Sequence, residues 1–180
     1  MNKLGEMGIS FALGLLLGII ICTSVFVVFD QKENHIITPI FSPENGNLII
    51  DEIKSANSTI EIEMFVLTSE QIISELIEAK ERGVEVRVIL EKRDSGITNE
   101  ETVKRLQQNG IDARFATREY KLTHAKIIII DKKKLIIGSH NLTDAALEKN
   151  REASVIIRDI LTISKFILEF EKDFLKASKE

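Results

Sequence analysis

HAKIIIIDKKKLIIGSHN, residues 124–141, holds four consecutive isoleucines between a lysine and an aspartate. A strand with one solvated face alternates apolar and polar residues. A run that is apolar at every position implies cover on both faces, so Ala125–Asp131 is expected to be a strand at the centre of a sheet. Lys132–Lys134 then read as a turn and Leu135–Ile137 as the next strand.

The flanking sequence fits the same architecture. Downstream, Ala153–Ile157 reads as a strand. A final helix aligns Ile160, Ile163, Phe166, Ile167, Phe170 and Phe174 on one stripe, which should pack on the sheet. Upstream, Leu48–Ala56 looks helical, Ile60–Val66 alternates and then turns apolar like a strand, and Val84–Leu90 is a second strand. Between these two strands lies a helix with capping-box spacing at Thr68 and Gln71 and a stop at Gly83. Thr98 and Glu101 open another helix that Gly110 closes, and Ile111–Phe115 is a short strand. Strands alternating with helices mean an α/β fold, a mixed sheet flanked by helices.

The residues bounding the isoleucine run carry chemical meaning. His124, Lys126, Asp131, Gly138, Ser139 and Asn141 stand in the pattern H-x-K-x4-D-x6-G-S-x-N. On a strand, residues two apart share a face, so His124 and Lys126 point the same way. Histidine titrates near neutrality and can act as nucleophile or proton carrier. An ammonium beside it suits a phosphodiester, whose non-bridging oxygens gather charge during transfer. Ser139 and Asn141 follow a glycine in a tight turn and could donate to phosphate oxygens. Glu152, before a strand, could accept from the far nitrogen of the histidine ring and fix its tautomer. Asp131 lies at the far end of the strand, roughly 20 Å from His124 by strand rise, and reads as a structural charge that shapes the turn.

This pattern resembles the HKD motif of the phospholipase D superfamily at every fixed position. The stretches Phe65–Ser69 and Arg82–Val88 also resemble the strand–helix–strand unit of that superfamily, and the likeness runs over roughly residues 45–175. The resemblance implies a phospholipase D-like sheet and a phosphodiesterase acting through a phosphohistidine. It assigns His124, Lys126 and Asp131 to the catalytic motif, with Ser139, Asn141 and Glu152 binding phosphate or supporting it. It implies no metal and no cofactor. The motif occurs once, whereas the chemistry of the superfamily uses two. Single-motif members, among them bacterial nucleases and Zucchini-type mitochondrial proteins, pair as homodimers sharing one active site, so a homodimer is expected here.

Composition narrows the alternatives. The chain has 180 residues, 44% hydrophobic and 29% charged, which is an ordinary globular mix. Its one cysteine, Cys22, excludes an intrachain disulfide and a cysteine zinc site. His35, His124 and His140 lack the spacing of a zinc helix motif. His140 reads as the variable position of the motif. The net charge of −4 weakly opposes nucleic acid, although residues 121–134 hold five lysines and one aspartate. The Lys132–Lys134 cluster reads as a solvated turn. Arg118, Lys121, Lys92 and Arg93 are better candidates for substrate contact.

Met7–Phe29 carries no charge and is long enough to span a bilayer, which needs roughly 20 apolar residues. A cleaved signal peptide, leaving a secreted protein, is the rival reading. An N-terminal transmembrane helix over 7–29, a linker over 30–43 and a catalytic domain over 44–180 are therefore expected. The flanking charges favour a single-pass topology with the domain outside the cytoplasm. The functional expectation is an endonuclease acting on DNA or RNA, with phospholipase D or cardiolipin hydrolase-type lipid cleavage as the alternative.

Overall fold

A computed structural model describes residues 36–92 and 99–180. Seven strands form one mixed sheet: β1 (Ile37–Ser42), β2 (Thr59–Met64), β3 (Glu85–Leu90), β4 (Asp112–Phe115), β5 (Lys126–Ile130), β6 (Lys134–Gly138) and β7 (Glu152–Ile157). Among the described residues five helices accompany them: α1 (Leu48–Lys54), α2 (Glu70–Glu81), α3 (Glu100–Gln108), α4 (Asp144–Glu148) and α5 (Ile160–Lys176). The strand order is β1-β7-β6-β5-β2-β3-β4. β2, β3 and β4 run parallel, and every other pairing is antiparallel.

The isoleucine run is the central strand, as its unbroken apolarity predicts. Ile128 and Ile130 join the core beneath α1, α2 and α3, together with Ile60, Ile62, Val88, Leu76 and Leu106. Ile129 faces the other side, where Ile163, Phe170 and Phe174 of α5 cover it. Each fully buried isoleucine contributes about 2 kcal/mol. Ile160 departs from the predicted stripe and is 59% exposed, because it opens the helix beyond the edge of the packed face.

β5 and β6 join through a three-residue turn, Asp131–Lys133. Asp131 and Lys132 have φ of 53° and 54°, and the Lys133 amide donates to the Ile130 carbonyl at 3.0 Å. Two successive residues at positive φ match the twist of the flanking strands. Gly83 and Gly110 end α2 and α3 at positive φ. Ser69, not Thr68, precedes the first turn of α2, and no side-chain cap forms there. α4 was not expected; Thr143 caps it by accepting from the Ala146 amide at 3.1 Å.

The transmembrane element expected at the head of this architecture is corrected here, and with it the membrane partner and single-pass topology. Among the described residues no helix is long and apolar enough to cross a membrane. The 7–29 stretch lies outside the described residues, as do His35, Arg93 and Thr98.

Candidate active site

His124 is not on the strand that its motif suggested. It lies in the loop before β5, exposed, with only Lys126 inside the strand. The loop is nonetheless pinned on either side of it. The buried Thr123 donates its amide to Glu91 Oε2 at 2.6 Å, and the Ala125 carbonyl accepts from the Phe65 amide at 2.9 Å. The imidazole stands edge-on to the Phe65 ring, with centroids 4.6 Å apart.

Lys126 reaches back to the histidine. Its Nζ lies 3.3 Å from Nε2 and 3.5 Å from Nδ1 of His124, and donates to the His124 carbonyl at 3.2 Å. It also stands 5.3 Å from the centre of the Phe65 ring. Burial pushes the ammonium below the ordinary lysine range, while the negative charge of Glu152 works in the opposite direction.

The glycine–serine turn at the end of β6 is engaged internally. Ser139 donates its hydroxyl to Glu152 Oε2 at 2.5 Å and accepts from the Ala153 amide at 3.0 Å. Its hydroxyl hydrogen therefore serves Glu152. Asn150 Nδ2 donates to the other Glu152 oxygen at 3.3 Å. Glu152 makes no hydrogen bond to His124, so its expected role on the imidazole is not seen in the geometry. The motif glycine has a packing reason: a Cβ at Gly138 would lie 2.4 Å from the Ala153 carbonyl oxygen and from Ser154 Cα. Asn141 Oδ1 is buried without a hydrogen-bond partner. Its neighbour Leu142 is fixed to Val66, Thr68 and Ser69 by backbone hydrogen bonds of 2.9–3.0 Å.

Asp131 is held at the opposite end of β5. Its carboxylate accepts from the amides of Asn57, Ser58 and Thr59 and from the Ser58 hydroxyl. Burial acts to raise its pKa, but these donors outweigh burial and hold it below the usual carboxylate range. Asp131 ties the hairpin to the start of β2 and is not brought to His124. The neighbouring cluster is a turn, with Lys134 paired to Glu52.

His140 belongs to the interior. It is 3% exposed, with Nδ1 2.7 Å from Ser154 Oγ and Nε2 3.1 Å from Ser42 Oγ. Ser42 donates its own proton to the Ala146 carbonyl at 2.7 Å. Ser42 therefore accepts from Nε2–H, leaving Nδ1 to accept from Ser154. Burial lowers the pKa of this imidazole, and Glu152 opposes the shift.

Sequence reasoning missed Glu91 and Asn99. Both are 2% exposed. Asn99 donates to the carbonyls of Phe65 and Glu91, each at 2.8 Å, and accepts from the Leu67 amide at 3.0 Å. It staples together the loops after β2 and β3, which carry the ring and the carboxylate flanking His124. The available signal was position: Glu91 directly follows an apolar strand at its carboxyl end, where sites of α/β sheets gather. Of the expected substrate contacts, Lys92 stands over the Phe115 ring at 4.8 Å, and Arg118 and Lys121 are exposed. Among the described residues no three His, Cys, Asp or Glu side chains are placed to hold a metal ion. The expected homodimer is carried no further, because the structure is of one chain and no finding supports the pairing.

Known proteins resemble this chain over most of its length. A family described as "Cardiolipin synthase, PLD-like domain" matches residues 49–175. The chain is 32% identical to a phospholipase D of Rickettsia prowazekii (strain Madrid E), over 88% of this chain and 86% of that protein. It is 35% identical to a mitochondrial cardiolipin hydrolase of Mus musculus, over 66% of this chain and 52% of that one. Among solved structures, Nuc from Salmonella typhimurium, described as a phospholipase D family member, superposes with a TM-score of 0.72 at 27% identity. That match covers 78% of this chain and 95% of Nuc. NucT from Helicobacter pylori shares the fold with the same TM-score at 21% identity, over 79% of this chain and 97% of NucT.

Proposed function

Because the chain belongs to the phospholipase D superfamily, we propose that it cleaves a phospholipid phosphodiester, with His124 as nucleophile and Lys126 as the phosphate-holding cation. The chain is a phosphodiesterase of that superfamily. The observation that carries the residue assignment is the contact of Lys126 Nζ with the exposed imidazole, 3.3 Å from Nε2. A phosphate lying on His124 meets that ammonium directly.

In this reading a ring nitrogen of His124 attacks phosphorus, the bond from phosphorus to the leaving alcohol breaks, and the alcohol takes up a proton. Water then attacks the phosphohistidine, the phosphorus–nitrogen bond breaks, and the phosphomonoester departs. Lys126 opposes the charge on the non-bridging oxygens throughout. Ser139 and Glu152 act together as a braced pair beside that charge. Asn141 donates from its side-chain Nδ2 to a phosphate oxygen in this reading. Asp131 stabilises the hairpin that carries β5 and has no chemical part.

Lipid takes precedence over nucleic acid because relatives named phospholipase D align over 88% of this chain and 86% of their own length, and because the net charge is −4. Cleavage of DNA or RNA is the second reading, favoured by the likeness to Nuc over 95% of that chain. The full chain, with excess chelator, is given phospholipid vesicles, plasmid, single-stranded DNA and RNA. Headgroup release that disappears in His124→Ala supports the lipid reading. Nucleic-acid cleavage with intact lipid replaces it by the second.

A further inference from the structure

Glu63 of β2 is a carboxylate in a place where burial is uncompensated. It is 8% exposed, and its carboxylate makes no hydrogen bond or ion pair among the described residues. Glu61, two residues earlier on the same face, is buried too, but the Arg87 guanidinium meets it at 3.2 Å. Among the described residues no cation pairs with Glu63. Desolvation raises its pKa to about 7, and the nearby charge of Asp173 pushes in the same direction.

The carboxylate opens into a cavity of about 330 Å³ between β2, β5 and α5. Ala125 and Ile127 form one wall, Phe166 and Phe170 the other, and Lys165, Glu169 and Asp173 stand around the opening. Glu169 is already paired with Lys172 at 2.7 Å, and Asp173 accepts only a long hydrogen bond of 3.4 Å from the Tyr120 hydroxyl. The cavity thus has an apolar, aromatic interior with two under-compensated carboxylates. It calls for positive charge on a carbon body. A bare metal ion does not fit, since no three ligating side chains converge among the described residues. Phe170 has a ring suited to such a charge, and Arg87 already stands 5.2 Å from its centre.

We propose that this cavity binds an organic ammonium group, with Glu63 and Asp173 facing the charge and Phe166 and Phe170 packing against the methyl or methylene carbons. Ala125, between His124 and Lys126, lines the cavity, so an occupant touches the segment that bears the catalytic pair. The ammonium can come from a free amine or from the headgroup of a lipid. The site does not depend on which phosphodiester is cleaved.

Choline chloride titrated into the full chain by calorimetry, at constant ionic strength against sodium chloride, tests the proposal. Saturable binding is expected that tightens from pH 6 to pH 8, because an ammonium favours the ionised form of Glu63. The other charged groups facing it are Asp173, Glu169 and Lys165 from α5, with Arg87 and Glu61 along the sheet. Glu63→Gln and Asp173→Asn are each expected to weaken binding about tenfold, and Glu63→Gln to remove the pH dependence. His124→Ala should bind choline as the parent does, which separates this proposal from the catalytic reading. Vesicles of phosphatidylcholine held more tightly than phosphatidylglycerol, in a Glu63-dependent way, identify a lipid headgroup as the source. Equal vesicle binding alongside Glu63-dependent choline binding identifies a free amine. Absence of saturable choline binding, or affinity unchanged in both Glu63→Gln and Asp173→Asn, overturns the proposal. Asp173 is on the helix surface, so its variant remains informative if Glu63→Gln fails to fold.

Discussion

Glu91 and Thr123 are joined by a 2.6 Å hydrogen bond from backbone amide to buried carboxylate, one residue before His124. The bond fixes the segment that bears the exposed His124, the proposed nucleophile, through a buried carboxylate. Glu91→Ala should lower kcat/KM by about 10–100-fold, the order expected when a reacting group is misplaced by an ångström. Glu91→Gln keeps an acceptor and should recover most of the rate. Steady-state kinetics on both variants, with melting curves to confirm folding, check this; equal losses in the two would contradict a positioning role.

Lys126 predicts the alkaline side of the pH profile. In its proposed role only the ammonium form holds phosphate, and burial moves its loss of charge to lower pH than for an ordinary lysine. Activity should therefore fall as pH rises through that lowered value. Lys126→Arg keeps the charge to higher pH and should move the alkaline limb upward, at a lower maximal rate. A pH–rate profile that is the same in both proteins would count against this role.

Asp131 predicts a stability effect without a chemical one. Its hydrogen bonds hold its pKa down, so their contribution is present above the unfolded value and is lost as pH falls through the folded value. Asp131→Ala removes the acceptor and puts at φ 53° a residue that tolerates the left-handed region less well than aspartate. A loss of about 2–3 kcal/mol is expected at neutral pH. Asp131→Asn, which tolerates that φ, should lose less. Denaturant titration measures both, and kcat of the folded fraction should stay within about twofold of the parent, as for a surface change remote from a site.

Glu63 predicts the opposite pH trend. Its folded pKa is raised to about 7, so stability is greatest below the unfolded carboxylate value and declines as pH rises through 7. Glu63→Gln should be more stable than the parent at pH 8 by about 2 kcal/mol, and by much less at pH 4. Thermal melts across that range would refute the assignment if the difference did not change with pH.

The fold was legible where one residue pattern admitted one structure. The four isoleucines at 127–130 placed β5 at the centre of the sheet, because only a doubly covered strand buries every position. The stripe on α5 was readable for the same reason, although Ile160 lies beyond the sheet it was expected to cover. At the site, the spacing of His124 and Lys126 indicated their proximity, while the strand argument put His124 on β5 when it lies in the loop before it. The hydrogen bond between Ser139 and Glu152 and the staple made by Asn99 link residues 13 and 32–34 positions apart. No local periodicity encodes such contacts. The inward turn of His140 depends on Ser42, 98 residues away, and was equally beyond local reading. The expected transmembrane helix rested on composition alone, and nothing in the described fold supports it.

The central claim is that His124 becomes covalently bound to phosphorus. Its most direct test mixes the full chain with a phospholipid diester in excess chelator, quenches at neutral or alkaline pH within the first turnovers, and maps the adduct by peptide mass spectrometry. The account predicts a phosphorus-bearing adduct on the peptide containing His124, and neither adduct nor turnover in His124→Asn. Sustained phosphodiester cleavage by His124→Asn, with no adduct on His124 in the parent, would contradict it.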